Sequence, residues 1–509
     1  MLSIDDTGPP PPCPAPFNLA SYVLAHAQDT PDKIALAVLG PSRAERWSFG
    51  RLNAAVLGVA GALQARGFTP GTRVLLRLGS TVEFPVAFLA CAAADLVPVP
   101  VSAQLTAPEL RGLIAEVTPK LIIADPALPW PETDLPLITL DDLADLHDHA
   151  PGTPVQGDPD RAGYIVFTSG TSGVARGVVH AHRAIHARAM MRDGWTGLGP
   201  TDRVLHAGAF NWTYTLGTGL LDPWAAGATA LVPAAGVTPA QLPLLLQRHQ
   251  ATIFAAVPGV YRQILKSSIT LKLPALRHGL SAGEKLPDSL RTRWADATGT
   301  PIFEAFGMSE CSTFVSGSPA RTAPAGTLGF AQPGRCIAVL DDSGVPVPRG
   351  TEGTLAVHRA DPGLMLGYLG HADETEDRMR GDWFLTGDSV TMRDDGAVEY
   401  HGRSDDIMTA GGYRVSPVEV EAALATHPDV ADVAVTEVAV SPETTLIAAF
   451  IVSGRELDDA ALSGHMSDHL ARYKHPRLFV RVDTLPKSAN GKLMRRHLRE
   501  RYEARHGQA

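Results

Sequence analysis

"FTSGTSGVARGVVHAHR" (residues 167–183) gathers Gly, Ser, Thr and basic side chains around a turn. A loop of this composition can aim several backbone N–H groups and hydroxyls at one anion, which is how proteins cradle phosphate. The same composition suits a flexible surface linker. The Walker phosphate loop is excluded, because it requires Gly-x4-Gly-Lys-Ser/Thr and here Arg176 is followed by Gly177.

The residues on either side alternate between helical and strand-like segments. "RLNAAVLGVAGALQARG" and "EFPVAFLACAAA" carry helical patterns, while "RVLLRL" and "LVPVPVS" are short apolar strands. Between residues 203 and 266, "RVLHAGA", "TALVPA" and "TIFAAVP" are strand candidates separated by "LGTGLLDPWAAG" and "PAQLPLLLQRHQ". This alternation predicts a mostly parallel sheet with covering helices. After residue 335 the texture becomes short strands and turns ("DDSGVPVPRGTEG", "MRDDGAVEYHG"), which predicts a β-rich subdomain. A last unit begins near "GRSDDIM" and orders its segments as helix, strand, strand, helix, strand, helix, a small α+β domain. The expected fold class is therefore α/β: a large N-terminal domain (1–402) of layered α/β subdomains plus the β-rich one, then a small α+β C-terminal domain (403–509).

The 509 residues exceed one ordinary core, and 45% hydrophobic with 19% charged residues describes a globular protein. A net charge of −10 disfavours nonspecific binding to nucleic acid or anionic membrane. Cys13, Cys91, Cys311 and Cys336 are scattered without a Cys-x-x-Cys pair, so neither a zinc nor a disulfide framework is expected and a reducing, cytoplasmic compartment is the default. The start, "MLSIDDTGPPPPCPAP", lacks the features of a secretory signal, and "FPVAFLACAAADLVPVPVS" reads as a core helix running into a strand, not a membrane span. "GLSAG" (279–283) matches the Gly-x-Ser-x-Gly hydrolase pattern, but "GEKLP" separates Ser281 from the next helical segment, which a nucleophile elbow forbids.

Five ordered stretches together resemble one family: "TSGTSGVARG" (168–177), "EAFGMSE" (304–310), "FLTGD" (384–388), "GRSDDIMTAGGYRVSPVEVE" (402–421) and "PKSANGKLMRR" (486–496). Their order and spacing are similar to those of the adenylate-forming superfamily, which includes acyl-CoA synthetases, peptide-synthetase adenylation domains and beetle luciferases. The resemblance covers nearly the whole chain. It implies ATP, Mg²⁺ and coenzyme A as reactants and cofactors, and conversion of a carboxylic acid to an acyl adenylate and then a thioester.

The resemblance also implies roles residue by residue. Thr168, Ser169, Gly170, Thr171, Ser172 and Gly173 would wrap the β- and γ-phosphates; Glu310 would hold Mg²⁺, and Ser309 would donate to the α-phosphate. Asp388 would accept the ribose hydroxyls, and Arg403 would donate to ribose or phosphate. Ala282, Gly283 and Glu284 with Ala305 and Phe306 would line the adenine slot. Lys492 would bridge the carboxylate and the α-phosphate. Asp405 would be the hinge about which the small domain swings, making it mobile, and Gly411 and Gly412 would leave room for the pantetheine arm. In isolation Asp388 would be read as a turn cap and Glu310 as a surface ion-pair partner; the joint pattern reverses this.

Two positions depart from the family. The phosphate loop ends in Ala175, Arg176 and Gly177 in place of Pro-Lys-Gly, so a planar fork replaces an ammonium, and phosphate contact by Arg176 is expected with altered geometry. Phe306 stands where Tyr is common. In the acyl-pocket segment "AFNWTYTLG" (209–217), Asn211 follows Phe210 where amino-acid-activating relatives place Asp, which argues against an α-amino acid. "SAGEKLP" and the "TYTLG" spacing look like the benzoate-CoA ligase branch. Phe210, Trp212, Tyr214, Met308 and Cys311 would flank a flat ring, or bound a short aliphatic pocket, with Cys311 alternatively an inert packing thiol. Free CoA is the expected acceptor and a separate carrier protein the alternative; family members are often monomers or homodimers. A nonenzymatic nucleotide-binding scaffold is disfavoured by Lys492 and Glu310.

Overall fold

Leu121–Ala124, Ile253–Ala255 and His278–Ala282 are buried at every residue, which a strand achieves only when both faces of its sheet are covered. In the computed structural model, which describes residues 1–128, 130–168, 176–267, 271–404, 406, 408–410, 413–441, 444–467, 469–470, 472–487 and 493–506, these strands lie in parallel sheets flanked by helices. The chain forms two compact units. The larger is Asp5–Cys336 with His358–Asp382; the smaller is Met1–Ile4, Ile337–Val357 and Trp383–Ala509.

In the larger unit a nine-stranded sheet runs in the order Phe330–Ala331, Ser312–Ser316, Ile302–Met308, His278–Ala282, Ile253–Ala255, Arg203–His206, Thr229–Pro233, Ile34–Leu39, Ala44–Ser48. The run from Ile302–Met308 to Ile34–Leu39 is parallel, and antiparallel strands close both edges. The strands expected from "RVLHAGA", "TALVPA" and "TIFAAVP" are central members. "GLSAG" falls within a strand: Ser281 is wholly buried in His278–Ala282, and its hydroxyl has no hydrogen-bond partner among the described residues. Ser281 is thereby excluded as a nucleophile.

A second, four-stranded parallel sheet orders Val97–Pro100, Arg73–Arg77, Leu121–Ala124 and Leu137–Ile138. Val97–Pro100 contains two prolines and sits at its edge, where a missing N–H is tolerated. The preceding helix, Glu83–Ala93, is the apolar stretch expected to be a core helix; no helix among the described residues is long and apolar enough to cross a membrane. Ala162–Thr168 and Arg176–Ala181 form an antiparallel hairpin that pairs Thr168 with Arg176, and Gly367–Tyr368 joins Arg176–Ala181 as a third strand.

In the smaller unit, Cys336–Leu340 pairs antiparallel with Glu352–His358, and Trp383–Met392 with Val398–Arg403. Further along, Asp432–Ser441 and Thr444–Val452 pair antiparallel, with Leu478–Arg481 parallel to the latter. Side-chain alternation divides this three-stranded sheet between two cores. Val433, Val435, Ile447 and Ala449 pack with Leu462 and Met466, while Ala434, Val438, Ala448 and Phe450 pack with Leu498.

One buried carboxylate ties a strand of the large sheet to the loop that follows its parallel neighbour. Glu304, 2% exposed, accepts the Leu286 N–H at 2.7 Å on Oε1 and meets Arg291 at 3.1 Å and Lys285 at 3.3 Å on Oε2. It therefore pins the loop leaving His278–Ala282. Replacing Glu304 with Ala strands a buried N–H and two cations, with an expected loss of about 2–3 kcal/mol. A lower urea midpoint at unchanged m-value is the measurement that checks it.

Candidate active site

At the C-terminal edge of the large sheet, Ala282 and Ala305 are register partners on adjacent parallel strands, so the residues expected around adenine meet there. Gly283 adopts φ +93°, and a Cβ on it would stand 2.5 Å from the Trp212 indole. Only glycine admits both the backbone angle and the ring. Phe306 meets Phe314 edge-on at 5.6 Å. Beyond it the strand turns back at residues 309–311, where a Cβ on Gly307 would collide with the Ser312 carbonyl.

That turn carries Ser309 and Glu310. The Ser309 carbonyl accepts a hydrogen bond from His180 Nε2 at 2.8 Å, and the Glu310 carbonyl accepts the Met365 N–H at 2.7 Å. Glu310 Oε1 accepts the Tyr368 hydroxyl at 2.6 Å, and Oε2 accepts no hydrogen bond among the described residues. Among the described residues no group of three or more His, Cys, Asp or Glu side chains could hold a metal by itself. A single carboxylate with one oxygen uncommitted fits Mg²⁺, which takes one or two protein carboxylates and completes its octahedron with water and substrate phosphates.

Thr168 and Arg176 end the strands of the hairpin expected to cradle phosphate, and Ser169, Gly170, Thr171, Ser172 and Gly173 lie outside the described residues. Arg176 is bidentate to Glu374, at 2.8 Å from Nε and 2.6 Å from Nη2. The guanidinium expected at a phosphate is thus committed to a carboxylate of the helix Ala372–Asp377, a match of fork to carboxylate that an ammonium could not make. Glu284 is half-buried on the adenine-side loop.

In the smaller unit Asp388 and Arg403 face each other across the Trp383–Met392 and Val398–Arg403 pair. Arg403 Nη1 donates to the Thr386 carbonyl at 2.8 Å and to Asp388 Oδ2 at 3.3 Å, while the Tyr400 hydroxyl reaches Asp388 Oδ1 at 3.3 Å. Burial, then the Asp388 charge, pushes the Tyr400 phenol well above its ordinary range, so it remains a donor. Arg495 is bidentate to Glu421 and lies 3.4 Å from Asp406. Asp405, Gly411, Gly412 and Lys492 lie outside the described residues.

The segment 209–217, expected to form the acyl pocket, carries three aromatic side chains. Phe210 stacks on Phe84 at 4.8 Å, and Trp212 and Tyr214 meet edge to face at 5.3 Å. The Tyr214 hydroxyl donates to the Leu280 carbonyl at 3.1 Å, so it is spent on the strand. Met308 is half-buried at the strand end. Cys311 corrects the expectation of a pocket residue: it is wholly buried, its sulfur 3.7 Å from Arg335 Nη1, and burial then Asp361 push the thiol well up. It packs against the buried Arg335–Asp361 pair, the alternative its sequence context left open.

The family described as AMP-binding enzyme matches residues 23–369, and the AMP-binding enzyme C-terminal domain matches residues 419–492. The chain belongs to the AMP-binding enzyme family. This AMP-binding enzyme is 29% identical over 530 residues to the mitochondrial acyl-coenzyme A synthetase ACSM2A of Homo sapiens, covering 96% of this chain and 91% of that one. It is 31% identical over 494 residues to the 4-hydroxybenzoate–CoA/benzoate–CoA ligase of Rhodopseudomonas palustris, covering 91% and 90%. Among solved structures, a benzoate CoA ligase from Burkholderia xenovorans LB400 superposes with a TM-score of 0.83 at 29% identity, covering 95% of this chain and 100% of that chain.

Sequence reasoning passed over four residues that hydrogen-bond to the candidate site: His180, Glu304, Tyr368 and Glu374. His180 and Glu304 lie inside quoted stretches, but nothing local reveals their partners.

Burial holds three histidines of the large unit neutral, pulling His180 down to about 4 and His182 and His206 to about 3. An unfolded histidine titrates near 6.5, so between these values the unfolded chain binds more protons. Their stability contribution is complete above pH 6.5 and is lost as the pH falls, down to about 4 for His180 and about 3 for His182 and His206, at about 1.4 kcal/mol per pH unit for each residue. Urea unfolding at pH 7.5 and 5.5 checks this, with the slope smaller by one proton in His206→Gln.

Proposed function

We propose that this chain is an AMP-forming acid–thiol ligase that activates an aryl carboxylic acid and transfers it to free CoA. The observation that carries the reading is the placement of Glu310. A lone carboxylate with one oxygen uncommitted stands at the C-terminal edge of a parallel sheet, its turn hydrogen-bonded to the strand that leaves the phosphate hairpin. Ligands of open α/β sheets bind at that edge.

In the first half-reaction the substrate carboxylate oxygen attacks the α-phosphorus of ATP, the α–β bridging bond breaks, and pyrophosphate leaves. Ser309 and the hairpin donors stabilise the charge that accumulates on phosphate oxygens, and Lys492 holds the attacking carboxylate against the α-phosphate. Mg²⁺ held by Glu310 neutralises phosphate charge when bound. Asp388 and Arg403 orient the ribose. In the second half-reaction the CoA thiolate adds to the acyl carbonyl and AMP departs. Movement of a 403–509 domain about Asp405 exchanges Lys492 for the Gly411–Gly412 loop between the two steps.

The aryl preference rests on Phe210, Trp212 and Tyr214 and on the named substrates of the benzoate CoA ligase relatives. Asn211 after Phe210 disfavours an α-ammonium group. AMP release with aryl, short-chain, dicarboxylic and amino acids, each with and without CoA, tests the reading. Release requiring one aryl acid and CoA supports it; adenylate and pyrophosphate exchange unaffected by CoA overturns the acceptor. Lys492→Ala is expected to lower adenylation by roughly 10²–10³, the scale of losing one preorganised donor. Asp405→Pro is expected to spare acyl-AMP formation in a pyrophosphate-exchange assay while impairing thioester formation.

A further inference from the structure

The turn that presents Ser309 and Glu310 is conformationally costly. Ser312 closes it at φ +65°, a left-handed backbone that non-glycine residues rarely adopt and that persists only where neighbouring groups over-determine it. Arg188 donates to the Ser312 hydroxyl, and two further side chains brace Ser309 and Glu310 from the hairpin strand Arg176–Ala181 and its partner Gly367–Tyr368. His180 is a residue of Arg176–Ala181 and donates Nε2–H to the Ser309 carbonyl at 2.8 Å. Tyr368 pairs with Val178 of the same strand and donates its hydroxyl to Glu310 Oε1 at 2.6 Å.

We propose that His180 and Tyr368 are positioning residues forming a two-point clamp that sets the Glu310 carboxylate relative to the phosphate hairpin. The proposal rests on the reading that Glu310 holds the magnesium of ATP. Tyr368 engages Oε1, which restrains the carboxylate and leaves Oε2 as the oxygen available to a cation. Hydrogen bonds of this kind orient a metal-binding carboxylate and contribute to its affinity. His180 fixes the other end of the same turn by its backbone. Its ring is wholly buried and stacks on Tyr164 at 4.8 Å and 15°, which sets the plane in which Nε2–H points. Burial keeps the ring uncharged at neutral pH, so the clamp brings no positive charge toward the cation. Because His180 lies on Arg176–Ala181 and Tyr368 on the strand paired with it, the clamp ties the position of the carboxylate to that of the hairpin.

Three substitutions separate this role from packing. Tyr368→Phe is isosteric and removes one donor. His180→Phe keeps an aromatic ring on Tyr164 and removes the other donor, whereas His180→Gln keeps a neutral N–H donor and gives up the ring. Each full-length variant is titrated with Mg²⁺ in two assays: ATP binding by equilibrium dialysis without acid, and pyrophosphate exchange with acid. The expected result for Tyr368→Phe and His180→Phe is a Mg²⁺ midpoint for ATP binding raised about 10-fold and an exchange kcat lowered about as much, with KM for the acid within about twofold. His180→Gln is expected to recover most of the loss.

A Tyr368→Phe protein with a wild-type Mg²⁺ midpoint and wild-type exchange overturns the proposal, and its isosteric change carries the test alone if His180→Phe does not fold. A His180→Gln protein as impaired as His180→Phe removes His180 from the clamp and assigns it to packing on Tyr164. Wild-type ATP binding indifferent to Mg²⁺ overturns the underlying reading of Glu310 instead, a result distinguishable from both.

Discussion

Parallel pairing places the carboxyl ends of all strands on one edge, and the site of the large unit follows from that constraint. Ala282 and Ala305 become neighbours because His278–Ala282 and Ile302–Met308 run in the same direction. An antiparallel pairing would have sent one of them to the opposite edge. Phe306 near the end of one strand, and Gly283, Ser309 and Glu310 in the loops that continue from both, bring the groups proposed to face the nucleotide together, although none is adjacent in sequence to the hairpin 162–181.

Holding loops at such an edge requires polar anchors beneath them, and the large unit uses buried ion pairs. Glu304 secures the loop after His278–Ala282. Arg188, bidentate to Asp222 at 2.7 Å, also donates to the Ser312 hydroxyl and to Thr218, joining the helical stretch that follows residues 209–217 to the turn behind Glu310. Arg335 and Asp361 form a third pair with Cys311 against it. Buried pairs return little net stability once desolvation is counted, but removing one partner is costly. Their effect here is to hold the turn in one arrangement.

Most of the large fold was legible in sequence because its central strands are short apolar runs bounded by glycine, proline or polar residues, and strands such as Leu121–Ala124, Ile253–Ala255 and His278–Ala282 are buried on both faces. The edge strand with Pro98 and Pro100, the helix Glu83–Ala93 and the helix–strand order after residue 403 were all readable this way. Cys311 was misplaced for the opposite reason. Its position beside Glu310 suggests the site, yet successive residues of a tight turn point in different directions, and the Cys311 side chain points at Arg335. Arg176 was read by its place in a phosphate loop; its partner, Glu374, lies 198 residues away.

By itself the sequence determined the chemistry: a loop of small polar residues, single carboxylates and a lysine at family spacings specify acid activation because each motif is local and its residue types follow from the charges it must meet. Only the tertiary structure decided how those groups are held. The donors to Ser309 and Glu310 come from 129 and 58 residues away. A hydrogen bond depends on distance and angle in space, and the chain leaves no local trace of a partner that the sheet brings in from elsewhere.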